Sequence, residues 1–499
     1  MKSINLENNK TFKSILYLAI PSMIAQLVNV LYNIVDRIFI GNMPINGEIA
    51  LVGVGVCAPI LTFLSSFSYL IGFGGAPIFS MSLGENNKEN AKKILSNSFV
   101  LLFIVSFILL LIIYPFAKPI LYLFGASEAS IPYAYNYILI YLGGTFFSIL
   151  TLGLTQFIIA QGKSTIAMLV TLLGCLINVG LDPLFIYVLN MGVSGAALAT
   201  LISQFISFVF VLFLLLKVTT IKLSFSKLDK KVVCKILKLG FSPFIIMCTD
   251  SIVFICLNTC IKNYGGAQSD FYIEVATIVQ AFFSLATGPL LGISSGTQPL
   301  LAFNYGAKNI KLIKKSEIQL TIFALCFCTM CFGLSFVLGK PFAQLFISLS
   351  SSTGNDKTVE VAARVISIYM YGIIPLAFQY VFVDGLTGLG QAKYSIWLSL
   401  NRKLVLLLPL TILLPAITKD AFNVFYAELI ADVISSTVST IVYLIIIPKI
   451  LKKRARNKEC YGLIIYANYY KILYRILINY FNFISIKYSL SIFWYPNLS

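Results

Sequence analysis

The stretch SLGENNKENAKK, residues 82–93, returns 222 positions later as NYGAKNIKLIKK, residues 304–315. Gly84 and Gly306, Asn87 and Asn309, and the lysine pairs Lys92, Lys93 and Lys314, Lys315 fall in register. Each copy closes a long apolar run, so the second half of the chain repeats the first. Two more pairs keep a similar offset: AQGKS (160–164) with GQAKY (390–394), and LAIPSMI (18–24) with LGFSPFI (239–245). Outward from these anchors, apolar stretches long enough to cross a bilayer occur at about 15–40, 49–80, 94–114, 133–160, 165–188, 193–216, 239–261, 275–303, 318–338, 361–389, 394–416 and 422–448. Six spans per repeat return the chain to the face it started from, which relates the halves by an axis along the membrane normal. The expected fold is an all-α membrane protein with twelve transmembrane helices in two pseudo-symmetric six-helix lobes. These comprise residues 1–216 and 239–448, joined by a basic linker at 217–238 and followed by a tail at 449–499.

Composition agrees. Of 499 residues, 58% are hydrophobic and 11% charged, with a mean hydropathy of +0.90, whereas soluble chains carry about 25% charged residues. That excludes a soluble enzyme. The net charge of +18 would suggest a nucleic-acid partner in a soluble protein, but its distribution argues otherwise. With both ends of the twelve-span core on the cytoplasmic side, 25 Lys and Arg residues fall inside and 7 outside, the positive-inside pattern of a multi-pass protein in the cell membrane. The expected partners are lipid and a small-molecule substrate, with no nucleic acid, and the chain is read as a monomer. Histidine is absent, which removes His-ligated metals and His general bases together. Cysteines such as Cys57, Cys328 and Cys331 sit inside apolar runs and read as packing residues. The longest outer loop, about 339–360, offers only Asp356 and Glu360 as chemistry, so no membrane enzyme is expected.

A carboxylate near the centre of a span costs about 2.5–3.5 kcal/mol on insertion scales, so each is a functional candidate. The candidates are Asp36, Asp182, Asp250, Asp384, Glu428 and Asp432. Span one carries Ser22, Gln26, Asn29, Asn33 and Asp36 at steps of three and four, one helical stripe ending in a carboxylate. Span five carries Asn178 and Asp182 at i and i+4, followed by Pro183. Counting the rise of about 1.5 Å per residue levels Asp36, Asp182 and Thr200 of span six in the outer part of the first lobe. The alternatives are a pairing of Asp36 with Arg37 at a helix end, backbone satisfaction of Asn178 and Asp182, and a structural ion pair of Asp250 with a basic residue such as Arg402. For Asp384 the competing reading is a solvated boundary charge.

LYNIVDRIFIGN (31–42), QGKSTIAMLVTLLGCLINVGLDPLFIY (161–187), GVSGAALAT (192–200), GTQPLLAFNYGAKN (296–309) and GLGQAK (388–393), in this order and spacing, resemble the multidrug and toxin extrusion (MATE) family, in particular its prokaryotic branches. The resemblance covers roughly residues 12–448. It implies two six-helix lobes that open alternately and cation-coupled export of small organic molecules. Its first-lobe cation site corresponds to Asp36, Asn178, Asp182 and Thr200, and an acidic residue on span seven in some members corresponds to Asp250. One departure stands out: the acidic residue some members carry on helix ten falls on Phe378, which removes a second-lobe cation site built on it.

The expectation is therefore an antiporter with no resident cofactor. Asp36 and Asp182 share H+ or Na+, with Asn178 and Thr200 supplying neutral oxygens as the Na+ ligands if sodium is used. Asp250, Gln26, Asn29 and Asn33 are the candidate substrate contacts. The alternative is a lipid-linked oligosaccharide flippase of related architecture, which calls for a wide cationic cleft. Residues 461–499, with Lys471, Arg475 and Lys487 among Tyr and Ile, read as an interfacial basic aromatic segment or an incidental extension.

Overall fold

A computed structural model describes residues 11–43, 47–224, 226–349 and 356–454; most of the tail lies outside this set. Among the described residues, twelve helices are long and apolar enough to cross a membrane: α1 Thr11–Gly41, α2 Ile49–Gly84, α3 Lys88–Leu123, α4 Ile131–Ala160, α5 Ser164–Val188, α6 Val193–Val218, α7 Lys230–Tyr264, α8 Gly266–Gly306, α9 Ile310–Ser348, α10 Asp356–Gly388, α11 Ala392–Thr418 and α12 Ala421–Lys452. Only helix closes every backbone hydrogen bond within its own segment in hydrocarbon, which is why apolar runs of this length take that form. Several helices overrun the apolar stretch that announces them. Span three, expected at 94–114, runs from Lys88 to Leu123, and span nine begins at Ile310 instead of 318. Asn87 caps α3 by accepting from the Asn90 amide. Helix continues past the hydrocarbon edge because charged residues there keep the backbone ladder and reach water. For the same reason α6 and α7 consume both ends of the basic linker, leaving 219–229 between them.

The halves keep largely separate apolar cores. One joins Leu102, Leu150, Phe157 and Val211; another joins Phe283, Tyr369, Phe382 and Tyr443, and takes in Ile15, Leu18 and Ala19 of α1. The lobes meet where the repeat places its glycines. A Cβ at Gly84 would stand 2.0 Å from the Phe303 carbonyl oxygen, and one at Gly306 would stand 2.1 Å from that of Met81. The duplicated glycine thus lets the ends of α2 and α8 touch reciprocally. The equivalent pairs α1 with α8 and α2 with α7 also cross on glycine: Gly292 lies against Ser22, and Gly240 against Leu70.

Candidate functional site

Pro183 has no N–H to continue the α5 ladder, and the helix widens into a π-helical turn at Leu184–Val188. That turn carries Tyr187, whose hydroxyl donates to the Phe39 carbonyl at 2.7 Å and ties the end of α5 to the end of α1. Asp36 thereby stands near enough to Asp182 for its charge to be felt there, and Arg37 is the charge felt at Asp36. On α6, Thr200 arrives from the packed small-residue face Gly195, Ala196, Ala197 and Ala199.

All four sequence-predicted cation-site residues are buried: Asp36 is 7% exposed, Asn178 1%, and Asp182 and Thr200 0%. Asn178 sits between the other two on its side. Its Nδ2 donates to Asp182 Oδ2 at 2.9 Å while its oxygen accepts from the Thr200 hydroxyl at 3.1 Å and the Thr200 amide at 3.3 Å. This amide orientation, in contrast to the opposite one, lets Asn178 donate to a carboxylate and accept from donors. Asp36 Oδ1 is buried with no hydrogen-bond partner, and Arg37 is exposed. Two buried carboxylates thus stand among neutral oxygens, one carboxylate atom unsatisfied among the described residues. Such a donor set suits a proton, or a hard cation that takes oxygen ligands, and suits a thiolate- or imidazole-loving metal poorly.

Tyrosines complete the site, and they are not among the residues expected from sequence. The Tyr32 hydroxyl is 3.4 Å from Thr200 Oγ1, and Tyr32, Tyr137 and Tyr141 all lie within electrostatic reach of Asp36. Gln204 Nε2 donates to the Tyr141 hydroxyl at 3.5 Å. Tyr32 is within reach of the sequence pattern, standing one turn before Asp36 on the same face; Tyr137 and Tyr141 come from α4 and carry no such signal.

The polar stripe of α1 divides. Ser22 and Asp36 are buried, Gln26 is half-buried, and Asn29 and Asn33 are exposed. Gln26 and Asn29 line a cavity of about 160 Å³ bounded mainly by α1, α4, α5 and α6. Asn33 instead donates to the Asn29 carbonyl at 2.7 Å.

The second lobe handles its charges differently. A π-helical turn at Asn401–Leu407 adds a residue to α11 and turns both Arg402 and Lys403 inward. Arg402 donates to Asp432 at 2.8 Å and to Glu428 at 3.3 Å, and lies over the Tyr380 ring. Lys403 pairs with Asp250, the partner being one residue beyond the expected Arg402. Asp384 is tied in as well: it accepts from the Ser294 hydroxyl at 2.5 Å, joining α10 to α8. Phe378 is buried in the apolar core. Glu317, which hydropathy places outside the membrane, is 1% exposed on α9 and bonded by the Tyr443 hydroxyl; the longer helix is what encloses it.

Comparison with known proteins bears on the family and the fold. The MatE family model matches residues 21–184 and 244–413, two segments that between them span more than half of the chain. The multidrug export protein MepA of Staphylococcus haemolyticus is 27% identical over 390 residues, 78% of this chain and 83% of that protein. MepA of Staphylococcus aureus is 25% identical over 391 residues, 78% and 84% of the two chains. Among solved structures, an outward-facing multidrug resistance MATE family transporter of the MOP superfamily superposes with a TM-score of 0.82 at 22% identity, covering 91% of this chain and all of that one. A MOP superfamily transporter from Pyrococcus furiosus, described as having a binding pocket of reverse polarity, gives 0.82 at 22%, over 90% of this chain and 99% of that one.

Proposed function

The chain belongs to the MatE family, and from that premise we propose that it is a secondary active transporter exporting small organic, often cationic molecules by antiport against H+ or Na+. The observation that carries the reading is the burial of Asp36 and Asp182 with Asn178 and Thr200 and, among the described residues, no basic side chain in a salt bridge to them. Two anions in a low-dielectric space repel each other, and binding a cation relieves both the repulsion and the lost hydration. The relief is greatest when α1, α5 and α6 stand close, so the cation favours the lobe arrangement that closes the site. Without such a difference in affinity it would shift no equilibrium. The lysine-rich end of the bundle faces the cytoplasm of a cell membrane, and inward movement of a cation along a potential adds about 2.3 kcal/mol per charge per 100 mV. Gln26 and Asn29 on the cavity wall, Asn33 on the same helix, and Asp250 across the lobes are the substrate contacts we assign; a cationic substrate would compete with Lys403 for Asp250. A flippase would call for a cationic cleft, whereas the cavity lining contains no Lys or Arg.

Purified protein in liposomes, loaded with a fluorescent cation and given pH and sodium gradients separately, tests the reading. One gradient should drive transport, and Asp36→Asn or Asp182→Asn should cut the driven rate by about tenfold or more, the loss of about 1.4 kcal/mol or more of coupling. Wild-type driven rates in both variants would sink the proposal.

A further inference from the structure

The two lobes touch along helix crossings that run for part of the helices' length. On α2 and α7, Gly240 lies against Leu70, and eleven residues further along α7 the Ser251 hydroxyl donates to the Pro59 carbonyl at 3.3 Å. Eleven residues are about three helical turns, so these contacts share one face of each helix. Beyond them the faces part: a Cβ at Gly55 would have nothing within 4 Å, and Val52 and Ile255 are exposed. On α1 and α8 the contact continues as far as Gly288, whose Cβ would stand 2.9 Å from Val30 Cγ2 and 3.8 Å from the Gln26 carbonyl oxygen. Further along the same face of α1, Asn33 and Arg37 are exposed. The lobes therefore touch toward the lysine-rich end and part toward the opposite one.

The parted faces carry complementary charge. Arg37 stands eleven residues on from Gln26, on the α1 face that meets α8, and Glu274 stands fourteen residues back from Gly288, on the α8 face that meets α1. Both spacings are close to whole numbers of turns, and the two positions differ in height by three residues, about 4.5 Å, a step that an arginine and a glutamate side chain together span. Among the described residues neither takes part in a salt bridge. Arg37 is exposed, and Glu274 Oε1 is buried without a hydrogen-bond partner among the described residues. The repeat supplies a counterpart. Eleven residues on from Ser251 is Lys262, also exposed, and the register of the α2–α7 crossing brings position 48, a glutamate, level with it. Arg37 and Lys262 are 225 positions apart, and Glu48 and Glu274 are 226 apart, within the offsets of the duplicated motifs.

We propose that Arg37 and Glu274 pair when the lobes close at the end opposite the lysines, and that this ion pair holds the closed arrangement during the transport cycle. Its role rests on the antiport reading above and adds to it a link between lobe closure and the ion site. Arg37 adjoins Asp36 and its charge is felt there. As Glu274 approaches, its negative charge offsets that of Arg37, and the Asp36 and Asp182 site holds a cation more firmly. By reciprocity, a bound cation favours closure at that end. Arg37 and Glu274 are thus positioning residues, acting on the arrangement of the lobes.

Two readouts test the pair in the whole chain. In liposomes, Arg37→Gln and Glu274→Gln should each lower ion-driven transport of the fluorescent cation about fivefold. The double variant should also lose about fivefold, whereas independent residues would multiply to a loss of about twenty-five-fold. Melting temperatures within a few degrees of wild type establish that the variants are folded. Independently of transport, the double variant Arg37→Cys with Glu274→Cys is treated in membranes with a short bifunctional methanethiosulfonate reagent, and mass spectrometry should find the two peptides linked. Losses that multiply, single variants at wild-type rates, or the absence of linked peptides overturn the pairing. Wild-type protein that neither gradient drives, in the presence of linked peptides, counts against the antiport reading alone.

Discussion

The two lobes bury acidic side chains in opposite ways. In the first, Asp36 and Asp182 are enclosed with an amide, a threonine and tyrosines; in the second, Asp432 and Glu428 share Arg402, and Asp250 takes Lys403. The cost of removing a carboxylate from water is similar in both places, so the difference lies in what offsets it. A covalently attached cation offsets it permanently and leaves little to exchange. A site without one must borrow its cation from solution, and a borrowed cation can be returned on the other side of the membrane. The duplicated halves thus differ: one pairs buried carboxylates with Arg402 and Lys403, and in the other Asp36 and Asp182 have no salt-bridge partner among the described residues.

The largest effect expected from breaking this contrast is in the second lobe. Arg402→Met removes the cation bonded to two buried carboxylates and should destabilise the protein by about 3–5 kcal/mol, read as the midpoint of denaturant or thermal unfolding in detergent. The same measurement on Asp36→Asn should show no loss, or a gain, since it removes an uncompensated charge. Equal destabilisation in the two lobes would erase the distinction.

The lobe interface, by contrast, should respond symmetrically. Gly84→Ala and Gly306→Ala each drive a Cβ into the backbone of the partner helix, and each should cost about 1–3 kcal/mol as an overpacked contact. A much larger cost on one side would mean that the reciprocal crossing bears load unequally.

A smaller change sharpens the description of the ion site. Tyr32→Phe deletes the hydroxyl that meets Thr200 and should weaken cation affinity by about 0.5–1 kcal/mol, a factor of about two to five in the half-saturating ion concentration, with folding unchanged. Least affected is the solvent-facing strap at the linker. Lys93, bonded at 2.5 Å, and the Lys231 amide hold the Asp229 carboxyl below the usual carboxylate range. A depressed folded value means that this contact is fully present above the ordinary carboxylate range and is lost as pH falls through the lowered one. Asp229→Asn should therefore shift the melting temperature by about one or two degrees at neutral pH, and by less in acid.

Much of this architecture is legible in the amino-acid sequence. The apolar runs locate all twelve helices, and the spacing of Asn178 and Asp182 puts both on one face. What escapes has a common cause. Tyr137 and Tyr141 reach Asp36 from a helix about a hundred residues away in sequence, and nothing local marks them. Glu317 falls outside its expected span because hydropathy reports where hydrocarbon begins, whereas the helix continues past it. Lys403 takes Asp250, in place of Arg402, because a π-helical turn rotates the neighbours, and an assumed ideal helix hides that rotation.

The sequence by itself determined the number of spans, their grouping into two repeats and the helices that carry carboxylates, because the cost of unsatisfied backbone and charge in lipid is paid residue by residue and leaves a one-dimensional trace. Only the tertiary structure decided which carboxylates, among the described residues, keep a basic partner and which do not, and which tyrosines stand near Asp36. Those outcomes depend on which side chains from distant helices meet, and distances of a few ångströms between helices leave no periodic signature in the chain.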